Sequence, residues 1–174
     1  MNRSLIAVSL FFNISFSQNV FFEDIVGQAS LQSQLCDDCV IVNESDESKT
    51  KAFYCVDGTN LVHFESSIMG NYTTITSVEI SISKNHLNKK KCSYTYLFKN
   101  GLKLNLPQKE TKNIMASFIK ENDSYTFISE KPVFFKEENI TMTDYTLFKV
   151  KYCEKKICNI EYARFYLDPI KNDK

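Results

Sequence analysis

The strongest constraint on this chain is a period of two in the segment Thr143 to Pro169. Two runs alternate apolar and polar side chains on either side of a polar turn, Glu154-Lys155-Lys156. In the first run Leu147, Lys149 and Lys151 share one face, and Phe148, Val150 and Tyr152 share the other. In the second, Asn159 and Glu161 oppose Ile160 and Tyr162. Side chains of a strand flip at every residue, so the pattern predicts a β-hairpin with one wet and one dry face.

The same rule predicts strands elsewhere. Ser77 to Ser83 alternates Val78, Ile80 and Ile82 with polar residues. Cys92 to Phe98 alternates Cys92, Tyr94, Tyr96 and Phe98 with Ser93, Thr95 and Leu97. Lys99-Asn100-Gly101 is a hairpin signal, because Asn-Gly accepts positive φ. Leu102, Leu104 and Leu106 would form the return strand, ended by Pro107. Phe53 to Phe64 reads as a first strand in which Gly58 marks a bulge or a close backbone approach. Tyr125 to Ser129 and Pro132 to Lys136 read as two more. Cys36 to Thr50 and Gly70 to Thr74 are polar and read as a loop and a turn. Asn113 to Lys120 is an apolar run that fits helix or strand. No helical stripe exceeds about two turns.

About eight hairpin-linked strands result. Aromatics supply the bulk, with 14 Phe and 9 Tyr but no Trp, and aromatic residues favour strands. The fold class is therefore all-β. An eight-stranded up-and-down antiparallel β-barrel is favoured, and a secreted β-sandwich is the alternative. A barrel of eight strands has room for side chains and one small ligand.

The start of the chain resembles a secretory signal. Arg3 precedes the apolar run Leu5 to Phe16, and Ser15 and Ser17 set a cleavage pattern before Gln18. Residues 1–17 are thus expected to be a signal peptide, and residues 18–174 a single secreted, extracellular domain. No other apolar run approaches the ~20 residues of a membrane span. Lys and Arg (21) balance Asp and Glu (21), which argues against nucleic acid as a partner.

Six cysteines in an exported chain imply disulfides: Cys36, Cys39, Cys55, Cys92, Cys153 and Cys158. Their spacing leaves 15 pairings open. The Cys36-Asp-Asp-Cys39 spacing also fits a redox dithiol or half a zinc site, but no βαβ pattern follows, and structural bridges are expected rather than metal. Asn43, Asn71, Asn122 and Asn139 head N-glycosylation sequons in polar stretches. His63 and His86 have no nucleophile or carboxylate at a suggestive spacing. No P-loop or dinucleotide fingerprint occurs, so neither an enzyme nor a cofactor is expected.

Four pieces of the chain resemble the lipocalin family, in particular the branch that includes apolipoprotein D, Lazarillo and the bilin-binding proteins. Thr143-Asp144-Tyr145 is similar to its TDY motif. Val150-Lys151-Tyr152-Cys153 resembles the segment that follows. Glu161-Tyr162-Ala163 with Pro169 resembles the last strand, and Cys92 to Leu104 resembles a front hairpin. Asn60 stands where the family has a Trp. The resemblance implies a calyx for a fatty acid, sterol, retinoid or bilin, and bridges from Cys153 to Cys36 or Cys39 and from Cys92 to Cys158.

The dry face supplies the expected ligand-binding residues: Ile80, Ile82, Tyr94, Tyr96, Leu104, Phe148, Tyr152 and Tyr162. Tyr suits a pocket wall, since its ring meets apolar surface and its hydroxyl can fix a polar group. Arg164 shares parity with Tyr162 and either points inward towards an anionic ligand or reaches solvent. The expected function is a carrier of a small hydrophobic ligand. The alternative is an effector that acts through its surface on an extracellular receptor, using loops such as Val42 to Thr50 and Lys120 to Asp123.

Overall fold

The computed structural model describes residues 19–27, 29–30, 40–45, 50–69, 72–82, 90–136 and 139–167. Its elements in chain order are β1 (Asn19–Phe21), α1 (Phe22–Ile25), β2 (Ala29–Ser30), β3 (Val40–Ser45), β4 (Thr50–Asp57), β5 (Asn60–Met69) and β6 (Tyr72–Ile82). They continue with β7 (Thr95–Leu97), α2 (Gln108–Thr111), β8 (Ile119–Glu121), β9 (Ser124–Phe135), β10 (Ile140–Cys153) and β11 (Lys156–Leu167). The chain is all-β, as the alternation predicts. The C-terminal hairpin has the expected faces: Phe148 lies opposite Tyr162 and Val150 opposite Ile160 on the buried side. Lys149 lies opposite Glu161 on the other side.

The main sheet runs β3-β4-β5-β6-β11-β10-β9-β8, with β2 pairing to β6 off that path. An up-and-down barrel places each strand beside the next in sequence. Here β6 lies beside β11, and the sheet stays open between β3 and β8. The reason is visible after Ile82. Residues 92–118 leave the ladder and fold across the apolar face of the sheet. Phe98 sits 5.4 Å from Phe148 and 6.0 Å from Tyr162, ring to ring. Phe22 of α1 stacks 5.3 Å from Tyr96 and lies 4.7 Å from Phe98. Phe118 lies 5.4 Å from Phe127. Leu102, Leu104 and Met115 complete this cover.

The expected hairpin from Cys92 to Leu106 is therefore corrected. Only Thr95–Leu97 is a strand, and it pairs in parallel with β1. Asn100-Gly101 does make a turn: Gly101 has φ +80°, and the Asn100 side chain accepts the Leu102 N–H at 3.0 Å. Leu102 and Leu104 keep their alternating burial without belonging to any strand. Apolar burial alone sets that pattern.

Three further expectations change. Phe53 to Phe64 is not one strand, because Gly58-Thr59 is the two-residue turn between β4 and β5. Gly58 has φ +62°, which suits the first central residue of a II′ turn. Part of the Cys36 to Thr50 loop is strand β3. The two short strands around Pro132 are one, β9. Pro132 is tolerated because β8 pairs only with Ser124 to Thr126, so the proline lies on a sheet edge.

The disulfides also differ from those the lipocalin resemblance implies. Cys55 bonds Cys92, and Cys153 bonds Cys158. Cys36 and Cys39 lie outside the described residues. The first bridge pins the covering segment to the sheet, where Val56 N–H and C=O also bond Lys90 and Cys92 at 2.8 and 2.9 Å. The second clamps the β10–β11 turn.

The lead-in wedges between two strands. β11 pairs with β6 only from Asn159 to Ala163. Beyond that point Gly27 donates to Ile75 C=O at 2.7 Å, and β2 takes up Thr74 and Thr73. Gly27 has φ +80°, and a Cβ there would lie 3.1 Å from the Arg164 side chain. Gly27→Ala is expected to destabilise the fold by more than about 1 kcal/mol, read as a lower denaturant midpoint with an unchanged slope. An unchanged midpoint would show that this wedge is not needed.

The buried tyrosines give an alkaline limit. Burial pushes Tyr162 up to about 12 from the usual 10.0, with Arg164 pulling the other way. Burial raises Tyr96 as well, with a smaller push from Tyr94. Unfolded tyrosines ionise first as pH rises, so the folded state then holds more protons and loses stability. Unfolding free energy should fall between pH 10 and about 12, and Tyr162→Phe should flatten part of that slope in urea titrations. An identical slope in the variant would contradict the assignment.

Candidate functional site

The β10–β11 turn is built from Glu154 and Lys155, both with positive φ, +52° and +63°. Two such residues in sequence form a type I′ turn, which matches the twist of a hairpin but favours Asn and Gly. The Cys153–Cys158 bridge spans it. A second segment docks on this turn through backbone bonds. Asn105 N–H donates to Ile157 C=O at 2.8 Å, Ile157 N–H to Leu106 C=O at 3.0 Å, and Gln108 N–H to Lys155 C=O at 2.9 Å. Pro107 then starts α2 with φ −65°.

A cleft of about 650 Å³ opens between α2 and this turn, within the usual size of small-molecule sites. Its floor is Pro107, Met115 and the rings of Tyr125 and Tyr152. The two rings meet edge-on, 5.3 Å apart. Lys109, Lys112 and Lys155 stand exposed around it. Thr111, the last residue of α2, is 1 % exposed and donates to Gln108 C=O at 2.9 Å. Its oxygen therefore accepts the Tyr152 hydroxyl, which is in hydrogen-bond contact with it. Gln108 Nε2 donates to the Tyr125 oxygen at 2.9 Å. Burial, with a smaller push from Tyr125, raises the Tyr152 phenol above its ordinary value. Tyr152 thus stays neutral.

Of the residues expected to bind ligand, Tyr152 alone lines this cleft. Ile80, Tyr96, Leu104, Phe148 and Tyr162 are buried in the core cluster. Phe148 and Tyr162 touch each other at 4.5 Å between centroids. Tyr94 is half-buried beside Tyr96, 6.2 Å away. Ile82 is 41 % exposed near the end of β6. Arg164 takes neither expected course. Its Nε and Nη2 donate to the two Asp144 oxygens at 2.9 and 2.8 Å. This bidentate bond raises Arg164 further above its ordinary value, and it occupies the charge that an anionic ligand would need.

Sequence reading missed Pro107, Gln108, Lys109, Thr111, Lys112, Met115, Tyr125 and Lys155. One signal was present. Lys109, Lys112 and Met115 recur at a spacing of three, which places them along one side of a helical turn. Of the sequons, Asn122 and Asn139 are exposed in turns with φ +55° and +53°. Asn43 lies on β3, and Asn71 lies outside the described residues. Among the described residues no group of three His, Cys, Asp or Glu could hold a metal ion.

Comparison with family models, curated proteins and solved structures finds no match.

Left-handed backbone at a residue with a Cβ costs about 1–2 kcal/mol. Lys155→Gly should therefore stabilise the fold by about 1 kcal/mol, a rise of roughly 2–4 °C in Tm for a chain of this size. A fall in Tm would mean that the lysine side chain contributes packing that outweighs the backbone strain.

Proposed function

We propose that this chain is an exported binding protein that holds a small, mainly hydrophobic molecule in the cleft between α2 and the β10–β11 turn. The observation that carries the reading is the cleft itself. Its apolar floor joins Met115 and Pro107 to two tyrosine rings whose hydroxyls are already oriented by Thr111 and Gln108. Such a mixture of apolar walls and a few fixed polar atoms is typical of small-molecule sites. A ligand that buried roughly 250 Å² of apolar surface there would gain about 6 kcal/mol before its loss of freedom is counted. Export draws its support from the apolar run Leu5 to Phe16 and from the two disulfides. The carrier is read at the rim of the sheet and not in a central calyx, because aromatic side chains from α1 and residues 92–118 occupy the sheet's apolar face.

An effector that acts through its surface draws on a different observation. Ile128 and Phe134 are 49 % and 58 % exposed on β9, away from the cleft. Titration with a neutral naphthylamine dye separates the two readings. The carrier predicts saturable one-to-one binding that Met115→Trp abolishes. Gln108→Trp, at an exposed position, should do the same without disturbing the core. Absence of binding by the folded protein, or binding that neither substitution weakens, would refute the carrier.

A further inference from the structure

We infer that the ligand is a single-chain amphiphile with an anionic head, and that Lys109, Lys112 and Lys155 read its charge. The inference rests on the cleft being the ligand site and adds the class of ligand. No acidic residue lines the cleft, whereas three lysines do. The chain as a whole has no net charge, so the concentration of cations here is local. Among the described residues none of the three lysines has an ion-pair partner. Ion pairs among the described residues include Lys99 with Asp24 and Arg164 with Asp144.

The neutral groups of the cleft point the same way. The Tyr152 proton is committed to Thr111, and the Thr111 proton to Gln108 C=O. The Tyr125 oxygen accepts from Gln108 and leaves its own proton to donate. A ligand therefore meets lysine N–H groups and a phenol O–H, a set that suits an oxyanion acceptor. Placement matches an amphiphile. Lys109 and Lys112 lie on the α2 side, and Lys155 faces them from the turn that holds Gln108 through its carbonyl. The apolar floor of Met115, Pro107 and the two rings lies between the two sides. A head held by the lysines would leave one chain to follow that floor. Arg164, the cation that sequence parity favoured for this task, is held by Asp144.

Carboxylate and phosphate heads share this chemistry, and a matched series tells them apart. Dodecanoate, dodecyl phosphate and 1-dodecanol, each below its micellar concentration, would compete with the neutral dye on the full-length protein. At least one anion should bind about tenfold more tightly than the alcohol. The preference should shrink when salt rises from about 0.05 to about 0.5 M, because exposed charges are screened. Replacing Lys109, Lys112 and Lys155 together by Gln should erase the preference while dodecanol binding and Tm hold. The better of the two anions would name the head group. Equal affinity for anions and alcohol in the native protein overturns the inference while leaving the cleft intact as a site. So does a preference that survives the triple substitution. Failure of the dye and all three amphiphiles to bind overturns the cleft reading itself. Binding to vesicles of anionic lipid with no displacement by monomers also overturns the inference.

Discussion

The fold hangs on a short seam between β6 and β11. Five residue pairs, Ser77 to Ser81 against Asn159 to Ala163, join the meander β3-β4-β5-β6 to the meander β11-β10-β9-β8. Val78 meets Tyr162 and Ile80 meets Ile160 there, all on the buried face. Nearly every side chain of the seam's inner face is excluded from water, at roughly 1.5–3 kcal/mol each for the large apolar ones. The seam also has a sharp end. At Ala163 the strands part, Gly27 inserts, and Arg164 turns to Asp144. A glycine is needed where a backbone enters so close to an arginine stem.

A single open sheet exposes one apolar face that must be covered. This chain covers it with aromatic residues from outside the ladder. Phe22 and Phe98 anchor the cover, and α1 is fixed to it because the Glu23 carboxylate accepts Lys99 N–H at 3.0 and 3.2 Å. The bridge from Cys55 to Cys92 closes a separation of 37 residues, worth about 4 kcal/mol on the chain-entropy model. It brings the covering segment in at the β4 end of the sheet. The interior is consequently filled by rings, and the cleft arises only where the covering segment runs out, at Pro107 and α2.

Strands that meet another strand were legible in the sequence, since a sheet with one dry face writes its period directly into residues such as Val78, Ile80, Phe148, Val150, Ile160 and Tyr162. The cover was not legible. Leu102 and Leu104 alternate as strand residues do, yet they alternate because one side meets the core and the other meets water. Period two reports burial, and pairing is a separate matter. The turn at Gly58-Thr59 was hidden by the apolar residues on both sides, which read as one continuous strand. Neighbour order was beyond reach for a different reason. The pairing of β6 with β11 spans about half the chain, and nothing local in either strand names its partner. The candidate site suffered most. It combines a helical turn, a hairpin turn and two strand residues, Tyr125 and Tyr152, and only Tyr152 among them carried a pattern strong enough to be singled out.

The turn at Glu154-Lys155 ties fold and site together. Two residues with a Cβ sit there in a conformation that Asn and Gly adopt at lower cost. Violations of local preference in natural chains tend to mark functional or strained positions. The Cys153–Cys158 bridge closes a separation of 5 residues, worth about 2 kcal/mol on the same entropy model, enough to offset much of the turn's strain. What a glycine at position 155 would lack is a side chain. With lysine, the turn that anchors α2 through its carbonyl also sets a positive charge over the cleft. The strained backbone, the local disulfide and the placement of Lys155 then have one physical explanation. The Cys153–Cys158 bridge closes the hairpin end, and the bond from Gln108 N–H to Lys155 C=O ties that end to α2, the opposite wall of the cleft.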